Sequence, residues 1–244
     1  MKKEWLISII AVPLLTLFVA GFGRAETILS LDFNSESVGA DVESVPDSIA
    51  GRLVVPSPSN DFVPQYVVVG AGGVGVKVGT NSILEVSDSS GLGTGFKELC
   101  VSFDVDLTAD VTAGTKVFLR NGHLAIPFNI FLQANNVIGV ILQNIDGTFS
   151  RTVKTSGRAL SEDAGWQSVS VVWEKSAISI YVDGVIQSLN VGGTSAEEPG
   201  VMMLIAPDAP LGIGGIRRAD GSTGQYLDAA LDNIIIYSKS PTFP

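Results

Sequence analysis

The chain has one cysteine, one histidine, few aromatic residues and a shortage of basic ones. With Cys100 alone, no internal disulfide forms, so stability rests on a hydrophobic core. A chain of this length buries about 70% of its unfolded surface, enough for one large unstapled domain. Cys100 lies between Leu99 and Val101 in an alternating run, which places it opposite that strand's apolar side as an inert small residue. His123 alone excludes a two-histidine metal site, and any Ser-His-Asp triad would have to use it; beside Asn121 and Gly122 it reads as a turn residue. Fifteen Lys and Arg against 25 Asp and Glu leave a net charge of −10. That excludes nucleic acid as a partner, because binding it depends on cationic side chains neutralising phosphates. An acidic surface suits solubility, neutral sugars or divalent cations.

Long apolar runs are missing too, except at the start. Lys2 and Lys3 precede an apolar stretch from Trp5 to Phe22, and Gly23-Arg24-Ala25 offers small residues at the −3 and −1 positions of a signal peptidase site. The expectation is a secretory signal over residues 1–25, cut after Ala25, with residues 26–244 released to an extracellular, periplasmic or cell-surface location and no membrane contact afterwards. The alternative reading is an uncleaved single-span anchor. Removing the leader takes away Lys2, Lys3 and Arg24 but only one acid, Glu4, so the remainder is more acidic still.

Helical periodicity is absent after residue 25; strand periodicity is everywhere. From Gln167 to Trp173 the residues alternate, with Val169, Val171 and Trp173 on one face. Ala177 to Val182 repeats the pattern through Ile178, Ile180 and Val182. Between this run and the next stands Asp183-Gly184, a pair suited to the positive φ angles of a two-residue type I′ hairpin turn. These features predict a three-strand antiparallel meander. Glu98 to Leu107 reads as a longer strand with Leu99, Val101, Phe103, Val105 and Leu107 inward and Glu98, Ser102, Asp104 and Asp106 on the opposite face. Further strands are expected over Thr27–Phe33, around a glycine turn in Tyr66–Val78, and over Ile83–Val86, Lys116–Arg120, Phe128–Gln133, Val137–Gln143, Thr148–Val153, Val201–Ile205 and Leu231–Tyr237. Residues 34–65, with four prolines, and Arg217–Gln225 read as loops. The Gly-rich stretch from Gly70 to Gly75 is not followed by a helix that could present its N-terminus to a phosphate. About a dozen short strands in one domain indicate an all-β sandwich or jelly roll.

Three segments carry a resemblance. Trp166 followed by a Val-rich strand and then "IYVDG" at Ile180–Gly184, "LGIGG" at Leu211–Gly215, and "LDNIIIYSKS" at Leu231–Ser240 occur in the order and spacing that resemble laminin G-like domains of the concanavalin A-like lectin/glucanase superfamily. The resemblance implies a two-sheet antiparallel jelly-roll sandwich, and the last strand lying beside the first. It also implies recognition of carbohydrate, or of a glycosylated or protein partner at a surface, without catalysis. Alternatives from other classes are a divergent glycoside hydrolase or polysaccharide lyase, and a purely structural adhesion component.

The glucanase branch carries Glu-x-Asp-x-x-Glu or Glu-x-Asp-x-Glu on one strand, and that pattern is absent. The nearest set is Asp104 and Asp106, about 7 Å apart on one strand face, with Glu98 earlier; a solvated acidic face is the competing reading. For a metal, members of the superfamily hold a structural Ca²⁺ with a final-strand carboxylate and groups of the first strand, which implies Asp232 with Asp32 here. The family's paired acid is Asn233 in this chain. Carbonyls and water would complete the six to eight oxygens that Ca²⁺ takes. For a sugar, Tyr181 and Tyr226 are the candidate stacking rings, weighed against ordinary packing; Trp173 faces inward, and the family usually buries Trp166.

Overall fold

A computed structural model of the chain describes residues 27–34, 36–46, 48–49, 53–58, 60, 62–69, 73–79, 81–86, 98–121, 128–143, 150–174, 177–193, 210–218 and 220–238. The leader, His123 and the strand expected over Val201–Ile205 lie outside these residues.

Nineteen strands form two large antiparallel sheets and a small ribbon among the described residues. The first sheet has the order β14 (Val185–Ile186), β13 (Ala177–Val182), β12 (Gln167–Glu174), β7 (Glu98–Leu107), β19 (Ala229–Tyr237), β5 (Gly73–Val78) and β4 (Gln65–Val69), with β1 (Thr27–Leu31) also paired to β19. The second runs β15 (Leu189–Gly193), β11 (Ser150–Thr155), β10 (Val137–Gln143), β9 (Phe128–Gln133), β8 (Thr115–Asn121), β16 (Gly212–Ile213), β6 (Leu84–Val86), β3 (Leu53–Pro56) and β2 (Val45–Pro46). The ribbon is β17 (Ile216–Arg217) with β18 (Thr223–Gly224). Helix is confined, among the described residues, to two 3-10 turns, Ala134–Asn136 and Glu162–Ala164. The expected all-β sandwich is what the chain forms.

Alternation decides the faces. The inward residues of β7, β12 and β13 are buried and meet those of β8, β9 and β10 in one continuous core. Phe103 of the first sheet and Phe118 of the second pack with ring centroids 4.9 Å apart across the layer. Phe118 and Leu119 both enter this core because the β8–β9 register shifts between Val117 and Leu119, a bulge that re-aims one side chain.

The Asp183-Gly184 turn forms as expected, with φ of 50° and 76°. The third strand of the meander differs from expectation. Only Val185 and Ile186 pair with β13; after Ser188 the chain crosses to the other sheet, where Leu189–Gly193 pairs with β11. Periodicity reports which residues are covered and not which sheet covers them. The loop expected at Arg217–Gln225 contains the β17–β18 ribbon, and the proline-rich region contains the short β2 and β3.

The two irregular connections beside the sandwich are tied by one residue. Asn136, fully buried, accepts from the Val111 backbone N–H (2.8 Å) and donates to Asp110 Oδ1 (2.5 Å) and to the Leu160 carbonyl (3.1 Å). Arg158 reaches the same Asp110 oxygen at 2.6 Å. Replacing Asn136 by Ala strands the buried Val111 N–H and leaves the Leu160 carbonyl to Arg158 Nε alone, so a stability loss of about 1–3 kcal/mol is expected. In a urea titration this is read as a lower midpoint with unchanged slope.

Candidate functional site

Each sheet turns one polar face away from the core. On the first sheet the feature that organises this face is a split seam. β19 offers one edge to two strands in succession: Ala229–Leu231 pair with β5, and Ile234–Tyr237 pair with β1. Both partners run antiparallel to β19, so the end of β1 meets the start of β5 opposite Asp232 and Asn233. The expectation that the last strand lies beside the first is met. The pairing of β19 with β7 also breaks between Asp232 and Ile235, where Asn233 takes a left-handed φ of 49°.

Side chains close this gap. Asp232, 2% exposed, accepts from the backbone N–H groups of Phe33 and Asn233. Asn34 accepts from the Val74 N–H at 2.9 Å, and Asp32 accepts from the Asn34 N–H at 2.9 Å. Asp104, the register partner of Asp232, accepts from Ser168 Oγ at one oxygen (2.5 Å) and from Asn233 Nδ2 at the other (2.8 Å). Asp183 accepts from the Ser168 N–H (2.8 Å). The result is a row of carboxylates, Asp32, Asp232, Asp104 and Asp183, across the face. Oδ1 of Asp232 is buried and has no hydrogen-bond partner. Burial above all, with the charges of Asp104 and Asp32 adding to it and the two backbone donors opposing, pushes its carboxyl up to about 6.

The structure therefore brings together Asp32, Asp232 and Asp104. It does not bring Glu98 to them: six residues of extended strand separate Glu98 from Asp104 by about 20 Å, beyond the reach of a carboxylate pair acting on one bond. Glu98 instead stands opposite Glu174. Asp106 lies opposite Ala230. Among the described residues no group of three or more His, Cys, Asp or Glu converges tightly enough to hold a metal unaided. Trp166 is half-buried rather than sealed in the core; its ring edge lies over Gly75, where a Cβ would stand 3.2 Å from it. Tyr181 is half-buried on the same outer face, opposite Ser170 and Ile186. Cys100 faces outward but is fully covered, and burial pushes its thiol up to about 12, which makes it inert.

On the second sheet, one register row runs Glu85, Gly212, Arg120, Asn129 across β6, β16, β8 and β9. Residues directly opposite in antiparallel pairs share a face, so the side chains of Glu85, Arg120 and Asn129 point the same way, outward. The β17–β18 ribbon folds onto this face and plants Ile216 on Val117 and Phe131 in a small second core. Arg217 Nη1 donates to Glu85 Oε2 (3.1 Å), and Arg120 Nη1 donates to Gln225 Oε1 (3.3 Å). Tyr226, a candidate stacking ring, is half-buried here with its hydroxyl bonded to Thr223 at 2.5 Å and its ring against the backbone near Gly215. Sequence reasoning missed Glu85, Arg120 and Asn129. The alternation around them was visible, but the ribbon that gathers them was not.

The pH dependence of Asp232 follows from its direction. A carboxyl raised to about 6 from an unfolded value of about 4 binds more protons in the folded state between those values. Its contribution therefore favours folding below pH 4 and is lost as pH rises through 6. The stability of Asp232→Asn relative to wild type should rise by roughly 2–3 kcal/mol between pH 4 and 7, measured by urea titrations of both proteins across that range.

No family model and no curated protein sequence matches the chain. Solved structures do resemble it. Domain 4 of an extracellular GH43 arabinanase from Geobacillus stearothermophilus, solved with arabinotriose, is 15% identical with a TM-score of 0.56, covering 90% of this chain and 96% of that one. The botulinum neurotoxin serotype D binding domain is 12% identical with a TM-score of 0.56, covering 88% of this chain and 48% of that one. The chain thus spans about half the length of that neurotoxin domain. A CBM40 of the Ruminococcus gnavus IT-sialidase, bound to alpha2,3 sialyllactose, is 14% identical with a TM-score of 0.52, covering 69% of this chain and 91% of that one. At these identities the likeness establishes the two-sheet β-sandwich fold alone.

Proposed function

We propose that the chain is an exported carbohydrate-binding module of the laminin G-like kind, which recognises a glycan or glycosylated surface and breaks no bond. The observation that carries this reading is that the outward faces carry rows of fixed polar side chains, with a carboxylate oxygen on Glu85 and an amide oxygen on Asn129 buried without a donor. Sugar hydroxyls are donors of the kind such oxygens need. The sandwich likeness supports it, since two of the similar structures hold arabinotriose and sialyllactose. Asp104 supports the non-catalytic part: both its oxygens are engaged by protein donors, so it is oriented but not poised to move a proton.

Calcium belongs to the same proposal. The unpartnered Asp232 Oδ1 and the nearby charges of Asp32 and Asp104 fit a hard cation, with Asp232 and Asp32 as its carboxylate ligands and carbonyls and water supplying the rest. Bound there, Ca²⁺ would neutralise the row at the seam and tie β1 to β19.

Two measurements test these statements. A glycan array probed with residues 26–244 should give saturable binding to a defined set of glycans, and binding to none would overturn the module reading. Adding millimolar Ca²⁺ to chelator-treated protein should raise Tm in wild type but not in Asp232→Asn. An unchanged wild-type Tm would remove the metal.

A further inference from the structure

The chain is acidic as a whole, yet three of its arginines gather on one side of the second sheet. Arg120 stands in the Glu85-to-Asn129 row, and Arg217 and Arg218 come down to it on the ribbon. Arg218 donates within its own hairpin, to Ser222 Oγ (3.3 Å) and the Thr223 carbonyl (3.4 Å). Burial, and after it the charge of Arg218, lowers the Arg120 guanidinium below its ordinary value, so the two cations feel one another. Of the acids here, Glu85 takes Arg217 with one oxygen, and Asp220 is turned onto Ser222 at the hairpin tip.

The second observation concerns acceptors. Glu85 is 4% exposed and Asn129 3%, and each holds one side-chain oxygen, Oε1 and Oδ1, with no hydrogen-bond partner. A buried acceptor left without a donor is costly, so two of them in one row, either side of a guanidinium, form an unsatisfied row that a donor-bearing ligand completes once the ribbon is lifted from it. Three interstrand steps separate them, about 14 Å, the scale of a short oligosaccharide.

We propose that this row, beneath the β17–β18 ribbon, binds a glycan that carries a carboxylate. The sugar acid's carboxylate lies against the Arg120 and Arg218 guanidiniums, and its hydroxyls donate to Glu85 Oε1 and Asn129 Oδ1. A ligand with acceptors alone, such as a polyphosphate, satisfies the arginines and leaves both oxygens stranded. A neutral sugar does the reverse. Only a molecule with both kinds of group answers the whole row. The ribbon is held on the sheet by Arg217 to Glu85, by Arg120 to Gln225, by the Val117 N–H donating to the Gln225 carbonyl (3.0 Å) and by Ile216 against Val117 and Phe131, so the ligand reaches the buried oxygens by lifting the ribbon.

The inference rests on the module reading, and the experiment separates the two. Full mature protein is titrated calorimetrically with sialyllactose and with an oligogalacturonate, each beside its carboxyl-reduced form, and with a sulfated oligosaccharide. At least one carboxylate ligand should bind about tenfold or more tighter than its reduced form, which corresponds to the loss of one charge-assisted contact. Arg218→Gln, an exposed change, and Arg120→Gln should each erase that preference, while Asn129→Ala should weaken acidic and reduced forms alike. Equal binding of reduced or sulfated ligands overturns the carboxylate assignment. Carboxylate binding unchanged in Arg218→Gln and Arg120→Gln moves the site elsewhere and leaves the module reading standing. No binding to any glycan, here and on the array, overturns both.

Discussion

The fold depends on how β19 shares one edge between two strands. A β-strand has two edges, and every buried N–H along them requires an acceptor. One edge of β19 is taken by β7 along most of its length; the other passes from β5 to β1 at Asp232 and Asn233. Any such handover leaves donors with no carbonyl opposite. Here they fall to side chains: Asp232 serves Phe33 and Asn233, and Asn34 serves Val74. The polar row on that face is first a repair of the backbone ladder.

The same economy explains the uneven distribution of charge. Acids accumulate where backbone donors need acceptors, along the seam and at the Asp183 turn. Arginines accumulate where a two-stranded ribbon must be held down on an exposed sheet face, because their long stems cover apolar surface while their heads reach carboxylates and carbonyls. The two faces of the sandwich therefore differ in chemistry although both come from one acidic chain.

How much of this was legible beforehand depended on range. The long strands β7, β12 and β13 show in the alternation of Leu99 to Leu107, Val169 to Trp173 and Ile178 to Val182, since each faces core on one side only. The Asp183-Gly184 turn is a two-residue matter and reads directly. The change of sheet after Ser188, the bulges at Phe118 and Asn233, and the fold-over of the β17–β18 ribbon are decided by partners far away in sequence, and nothing in the local pattern marks them. At the candidate sites the same division holds. Asp232 and Asp32 were reachable through the closing strand's resemblance, whereas Glu85, Arg120 and Asn129 sit on strands whose outward residues look like ordinary solvent-facing ones until the ribbon covers them.

One pairing described above also sets how the molecule bears load. Thr27 stands opposite Tyr237, so the first and last described strands leave the sandwich side by side at one pole. Tension applied through the flanking segments pulls across the β1 to β19 ladder, along its hydrogen bonds, and opens them in sequence like a zip instead of shearing them together. Peeling β1 away in this manner would uncover Asp232 after only a few rungs, which makes the seam the mechanical fuse of the domain.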